Sequence, residues 1–234
     1  MRKRTIATIA LAIAVGGCDL ATNHHSPTPK PAAPAPAQAK HAPDSNPSIQ
    51  QARADLASLP VRAELTDKQA GKYEHTQWDR EGKCNTRALL LAEESQTPVR
   101  HKKGTCTVVA GTWTDAYSGR QVNSSKGVQI DHMVPEKEAW VSGANEWSPK
   151  LWQRFTNDRE HGELVVAGSR LNGQKSDSSP DEWMVPKDHA GQCAYTAQYL
   201  RVAAHWNSEA QAEGHDLSID PKQKAAHQTQ LDHC

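Results

Sequence analysis

Four cysteines, Cys84, Cys106, Cys193 and Cys234, stand in the last two-thirds of this 234-residue chain, and no other feature restricts its fold so much. An even set in an oxidising compartment implies a disulfide frame. Three pairings are open, of which the sequential one, Cys84–Cys106 with Cys193–Cys234, is preferred. A zinc site is the rival, but no Cys-x-x-Cys spacing is present. The oxidising compartment is itself read from the N-terminus. Met1-Arg2-Lys3-Arg4 is a basic start, and Ile6 to Val15 is an apolar run of about ten residues, too short to span a bilayer as a helix.

The fifth cysteine, Cys18, follows that run directly. Val15-Gly16-Gly17-Cys18 resembles the bacterial lipobox, which implies a signal peptide over 1–17, lipidation of Cys18 and a membrane held through the lipid alone. Ordinary cleavage near Gly17 is the alternative. Residues 18–48 then form a tether. Its Pro/Ala-rich stretch from Ser26 to Pro36 cannot build a core, and at ~3.1 Å per residue in an extended polyproline form the tether reaches up to ~90 Å. The domain proper is expected over 49–234, on an exported protein facing the periplasm or cell exterior, as a monomer.

Charge argues against broad electrostatic docking. The chain has 27 Lys and Arg against 27 Asp and Glu; loss of Arg2, Lys3 and Arg4 leaves 24 against 27, a net of −3. Nucleic-acid binders usually carry a basic surplus, so any such role needs a local basic surface. The run Arg100-His101-Lys102-Lys103 is expected as an exposed loop that can meet such a ligand. Periodicity and turn residues predict helices over Ile49–Leu59, around Ala88–Leu91, from Lys137, over Pro149–Phe155 behind a Ser148 cap, over Cys193–Trp206 and from Pro221 to Cys234. Strands are expected at Cys106–Trp113, Val128–Ile130 and Leu164–Ala167, with a hairpin turn at Ser118-Gly119, and Asn172 is expected to open a polar helical run. The Trp residues at 113, 140, 147 and 152 are read as packing, and the histidines at 189, 205, 215, 227 and 233 as mostly solvated.

The chemistry concentrates where a strand runs into Asp131-His132. About forty residues later comes Leu171-Asn172-Gly173-Gln174-Lys175-Ser176-Asp177. Two strands and a short helix can bring Asp131, His132 and Asn172 into one pocket. Phosphodiester hydrolysis needs a base for water, and His titrates near neutrality. It also needs charge stabilisation at phosphorus. A carboxylate and an amide oxygen suit a hard cation such as Mg²⁺.

These strings, together with Cys84-Asn85-Thr86-Arg87, Gly111-Thr112-Trp113 to Tyr117-Ser118-Gly119, Ile130 to Pro135, Ala139-Trp140 and Cys193-Ala194-Tyr195, resemble the HNH endonucleases that include the C-terminal domain of GmrSD-type restriction endonucleases. The likeness covers 73–234. It implies an α+β domain with a ββα-metal centre and disulfide staples. It further implies metal-dependent cleavage of DNA, or of RNA, with little sequence specificity. By that resemblance His132 is the general base, Asp131 and Asn172 hold Mg²⁺ (or Mn²⁺), Lys175 neutralises a phosphate oxygen and Arg87 is a second phosphate contact. The family's middle Asn is replaced by Glu163, expected to brace the base's loop by accepting hydrogen bonds while adding charge near the metal. Two rival readings follow from the same residues. One is a non-catalytic envelope lipoprotein that keeps the fold as a binding module. The other is a periplasmic metal-binding protein using the scattered histidines.

Overall fold

A computed structural model describes residues 49–75 and 77–234. The signal segment, Cys18, the tether and the Ser48 boundary lie outside the described residues. In chain order the elements are α1 (Ile49–Ser58), α2 (Asp67–Ala70), β1 (Arg80–Glu81), β2 (Cys84–Asn85), α3 (Thr86–Glu93), β3 (Arg100–His101), β4 (Val108–Ala110), β5 (Trp113–Thr114), β6 (Gln121–Val122) and β7 (Val128–His132). They continue with α4 (Glu136–Val141), a 3-10 turn (Ala144–Glu146), α5 (Pro149–Thr156), β8 (Leu164–Gly168), α6 (Ser169–Lys175), α7 (His189–Ala212) and α8 (Pro221–His233).

Two apolar cores hold these elements. The larger surrounds α7. Leu200, Val202, Ala203 and Trp206 pack there against Ala52 and Leu56 of α1, Leu151 and Phe155 of α5, and Leu231 of α8. At 24 residues, about 36 Å at 1.5 Å per residue, α7 is long enough to serve all three. Asp188 caps its start by accepting from Gly191 N, so the helix begins before, and ends beyond, the expected 193–206. The smaller core sits between α3 and the strands: Leu90, Leu91, Val108, Trp113, Val128, Ile130, Leu164 and Val166. Each staple serves one core. Cys193–Cys234 ties α7 to the end of α8, and Cys84–Cys106 ties β2 to the turn before β4, which is the preferred sequential pairing.

The strands pair as four two-stranded antiparallel ladders among the described residues. The strand expected over Cys106–Trp113 is broken, because the chain changes partner: β4 pairs with β3, and β5 with β6. The break falls at Gly111, where a Cβ would lie 2.7 Å from both Ser95 Oγ and the Trp113 ring. The expected Ser118-Gly119 turn joins β5 to β6, with Gly119 at φ +71°, a conformation that costs glycine nothing. Ser148 caps α5 by accepting from Leu151 N. His227 departs from the expectation of solvated histidines: it is fully buried, its Nδ1 against Gln230 Oε1 and its ring on Tyr199. No helix among the described residues is long and apolar enough to cross a membrane.

Candidate active site

The longest ladder positions the chemistry. Strands β7 and β8 pair from Val128↔Gly168 to His132↔Leu164. A strand points successive side chains to opposite faces. Val128 and Ile130 therefore enter the smaller core with Leu164 and Val166, which turns Gln129 and Asp131 to the other face. There α6 follows β8 without a gap and packs on both strands. Asn172 lies inside α6 and does not open it, because the helix starts at Ser169 directly after the ladder ends. Asn172 and Lys175 are three apart on the helix, hence on one side of it, and that side meets Gln129 and Asp131.

Asp131 is the hub. Its Oδ2 accepts from Tyr117 Oη at 2.5 Å and lies 3.1 Å from Lys175 Nζ. One terminal atom of the Asn172 amide lies 2.8 Å from Asp131 Oδ2 and 3.0 Å from Oδ1, and its other terminal atom is 2.6 Å from Gln129 Oε1. Tyr117 is fully buried, and burial together with the Asp131 charge pushes its phenol pKa well above the usual value, so it stays a donor. Buried Asp115 holds it in place: Oδ1 accepts from Tyr117 N at 3.1 Å and from Gly168 N at 2.9 Å, tying the β5–β6 turn to the end of β8.

His132 closes the strand. Its Nε2 is 3.0 Å from the carbonyl oxygen of Thr156, at the end of α5. A carbonyl only accepts, so Nε2 carries the hydrogen and the lone pair is on Nδ1. Among the described residues Nδ1 has no hydrogen-bond partner. Trp78 stacks on the ring at 6.0 Å between centroids, and Phe155 flanks it at 6.3 Å. Burial lowers the imidazole pKa, against an opposing pull from Glu136, whose Oε1 is 3.9 Å from Nε2. The ring is therefore neutral at neutral pH.

Glu163 and Lys175 lie beneath this pair. Glu163 is fully buried; its backbone oxygen accepts from Met133 N at 2.7 Å and its Oε2 from Val134 N at 3.1 Å. The loop after His132 is thus held by the hydrogen bonds a brace must accept. Burial raises the Glu163 pKa well above its usual value and so favours the protonated form, which opposes the expected extra charge. Lys175 also differs from expectation. It is 0% exposed, and Nζ donates to His132 O at 2.9 Å besides pairing with Asp131. A side chain so enclosed fixes Asp131 and the His132 backbone and does not reach a phosphate. Arg87 stands outside the cluster, its Nη2 donating to Val128 O at 3.0 Å and Ser125 O at 3.4 Å, at the other end of β7.

Four participants escaped sequence reasoning. Tyr117 read only as a hairpin residue, and Gln129 only as the polar face of a strand. Thr156 acts through its backbone, which no side-chain pattern reveals. Glu136 carried a faint signal, four residues after His132 at a helix start. It is buried and accepts from Tyr73 Oη at 2.6 Å, with His75 Nδ1 at 2.8 Å.

The donor set fits a hard divalent cation. Asp131 Oδ2 already has Tyr117 and Lys175, which leaves Oδ1 free to ligate. With the Asn172 amide oxygen turned to the carboxylate, three acceptor oxygens converge within 3.0 Å, an arrangement that repels unless a cation sits among them. Without a cation the amide nitrogen takes that place and donates to both carboxylate oxygens. A carboxylate plus one amide oxygen is the sparse oxygen set that Mg²⁺ accepts while keeping several waters.

Helical core, short antiparallel ladders and two disulfides define a cross-linked α+β domain built around a half-buried Asp-His-Asn cluster. The family model for GmrSD restriction endonucleases, C-terminal domain, matches residues 86–217, more than half of the chain, and the chain belongs to that family. The match contains every member of the cluster. An uncharacterized secreted protein of Arthroderma benhamiae is 29% identical over 193 residues, covering 82% of this chain and 89% of that relative. No solved structure matches.

Proposed function

We propose that this protein is an exported, metal-dependent endonuclease that hydrolyses phosphodiester bonds of DNA, and of RNA, with little sequence specificity. The observation that carries this is the His132 tautomer beside the Asp131–Asn172 oxygen set: a neutral imidazole whose Nε2–H is spent on Thr156 O and whose Nδ1 lone pair is unengaged. The run of β7, β8 and α6 supports a ββα-metal reading of the same residues. Export is supported by the two disulfides and by the secreted relative. Residues 1–17 act in this reading as a signal peptide and Cys18 as a lipid anchor, with 18–48 as tether. Labelled palmitate that is incorporated by wild type and lost in Cys18→Ala checks this.

In the reaction His132 Nδ1 takes a proton from water as the water oxygen bonds to phosphorus, in line with the departing 3′ oxygen. The P–O3′ bond breaks and the 3′ oxygen leaves protonated by solvent. Asp131 and Asn172 would hold a divalent cation, which when bound would supply charge neutralisation at the phosphate. Lys175 and Tyr117 fix the carboxylate that holds it, and Thr156 O fixes the ring of the base. The Trp78 and Phe155 rings shield that base from bulk water and keep it neutral.

Plasmid cleavage with Mg²⁺ or Mn²⁺ tests the proposal. Wild type nicks and linearises DNA, and EDTA stops it. His132→Ala loses about 10²–10⁴-fold in rate, the usual worth of a general base, and Asp131→Ala abolishes the metal-dependent cleavage. Pure wild type that never cleaves with either metal sinks the enzyme reading.

A further inference from the structure

A second feature lies at the other end of β7. A cleft of about 400 Å³ opens between the β1–β2 turn with α3 on one side and the β3–β4 turn on the other, lined by Arg80, Lys83, Arg87, Thr105 and Thr107 among others. The Cys84–Cys106 disulfide joins its two walls. We propose that this cleft is a phosphate-binding groove that seats the sugar-phosphate backbone of a DNA substrate beside the catalytic pocket; the proposal rests on the nuclease reading for its occupant.

Charge is the first argument. In a chain with no net charge, residues 80–127 hold eight Lys or Arg against four Asp or Glu. Two of those acids, Glu81 and Glu93, are taken by Arg159, and Asp115 is buried in the β5–β6 turn. Among the described residues no carboxylate pairs with Arg80, Lys83 or Arg87. Elsewhere Arg53, Arg62 and Arg154 each have an acidic partner. Arg87 is half-buried, and burial lowers its guanidinium pKa with no acid to offset it. Its Nη2 donates to two backbone carbonyls, so its charge is left for a ligand. Lys102 and Lys103 extend the positive surface at the tip of the β3–β4 turn, which absorbs the basic run at 100–103.

Position is the second argument. Val128, which holds Arg87, precedes Asp131 by three residues on β7, about 10 Å at ~3.3 Å per residue. Trp78, which stacks on His132, leads into the same wall two residues before Arg80. The wall formed by the β1–β2 turn and α3 thus runs from the cleft to the base and the metal ligands. A strand whose scissile phosphate lies at Asp131 has neighbouring phosphates within reach of these cations. The overall charge, which argued against broad electrostatic docking, is compatible with one narrow basic track.

The test measures binding apart from cleavage. A fluorescein-labelled DNA duplex is titrated in EDTA over a range of salt, with wild type, Arg80→Ala/Lys83→Ala, and a control, Lys68→Ala/Lys150→Ala, that removes the same charge elsewhere. Arg80 and Lys83 are exposed, so the variant keeps its fold. The groove variant is expected to bind roughly 10- to 100-fold more weakly at low salt, with the slope of log K against log salt smaller by about two. The control is expected to match wild type. Equal losses in control and groove variants, unchanged binding in the groove variant, or no binding by wild type overturns the groove. Unchanged DNA binding with lost binding to phosphatidylglycerol vesicles overturns it in favour of a membrane surface. Groove-dependent binding by a wild type that never cleaves with Mg²⁺ or Mn²⁺ leaves the groove standing and removes the nuclease reading instead.

Discussion

Lys175→Met is the sharpest probe of the cluster. Lys175 is 0% exposed and the Asp131 side chain 14%, so the pair is largely shielded from water. Met fills nearly the same space and removes the ammonium. Asp131 then keeps Tyr117 Oη and the Asn172 amide but loses its cation, and the His132 carbonyl loses its donor. Breaking a buried pair from one side costs about 3–5 kcal/mol. The remaining donors and the slight exposure of Asp131 place the expectation at the lower end, about 3 kcal/mol. For a domain of this size that lowers Tm by about 6–12 °C. Adding Asp131→Asn removes the stranded carboxylate and is expected to restore more than half of the loss. Thermal and urea unfolding of wild type, both single variants and the double variant, in EDTA, gives the coupling directly. A Lys175→Met variant within about 2 °C of wild type, with no rescue by Asp131→Asn, refutes the assignment of Lys175 as the partner of Asp131.

Three further expectations follow from the same contacts. Glu163 has its folded pKa raised by burial, so its contribution to stability is complete below the unfolded value of about 4.3 and declines as pH rises towards the folded value. Glu163→Gln keeps the acceptor for Val134 N and lacks that decline. Its stability advantage over wild type should grow between pH 5 and 7 in urea unfolding, and a difference that stays flat contradicts a protonated Glu163. Tyr117→Phe removes the 2.5 Å bond to Asp131 and should lower unfolding stability by about 1.5–3 kcal/mol, the worth of a hydrogen bond to a charged group; a loss below about 0.5 kcal/mol shows the hydroxyl is dispensable. Cys234→Ser opens a disulfide spanning 41 residues and Cys84→Ser one spanning 22, so the former should cost more, about 2–4 kcal/mol; the reverse order in Tm shifts argues against chain entropy as the source.

The parts of this site legible in the sequence are those carried by side-chain type at fixed spacing. Alternation in Val128-Gln129-Ile130-Asp131 decides which face of the strand Asp131 takes, and the three-residue step from Asn172 to Lys175 decides which side of α6 they share. The direction of Lys175 was not legible, because nothing in Asn-Gly-Gln-Lys tells whether a lysine at the last helical position points outward or under the sheet; the packing of α6 on β7 and β8 decides it. Thr156 and Gly168 act through backbone atoms, and Tyr117 depends on a turn that Asp115 ties to Gly168, 53 residues away in sequence. The cleft at Arg87 is hidden for a similar reason, since its two walls are brought together by the Cys84–Cys106 disulfide and by the packing of Leu91 with Val108 in the smaller core.

Glu163 illustrates why residue type alone misled. In sequence, a Glu in place of an Asn is one more negative charge beside a metal site. In the fold the side chain is fully buried, with one oxygen on Val134 N–H and no partner for the other among the described residues. An ionised carboxylate there would face Asp158 and Asp131 with only Lys175 in compensation. Desolvation and those like charges both favour the neutral acid, and a neutral acid is a planar group with one accepting oxygen, as an amide is. Lys175 remains matched to Asp131 alone, and the charge balance at the Asp131 carboxylate stays what it would be with Asn at 163. The substitution thus preserves the hydrogen bond that holds the His132 loop without changing the charge around it, so long as the pH stays below the folded pKa of Glu163. The proposed cleavage should therefore fall at alkaline pH in wild type and hold up in Glu163→Gln; parallel pH profiles for the two would show that Glu163 braces the loop equally well when ionised.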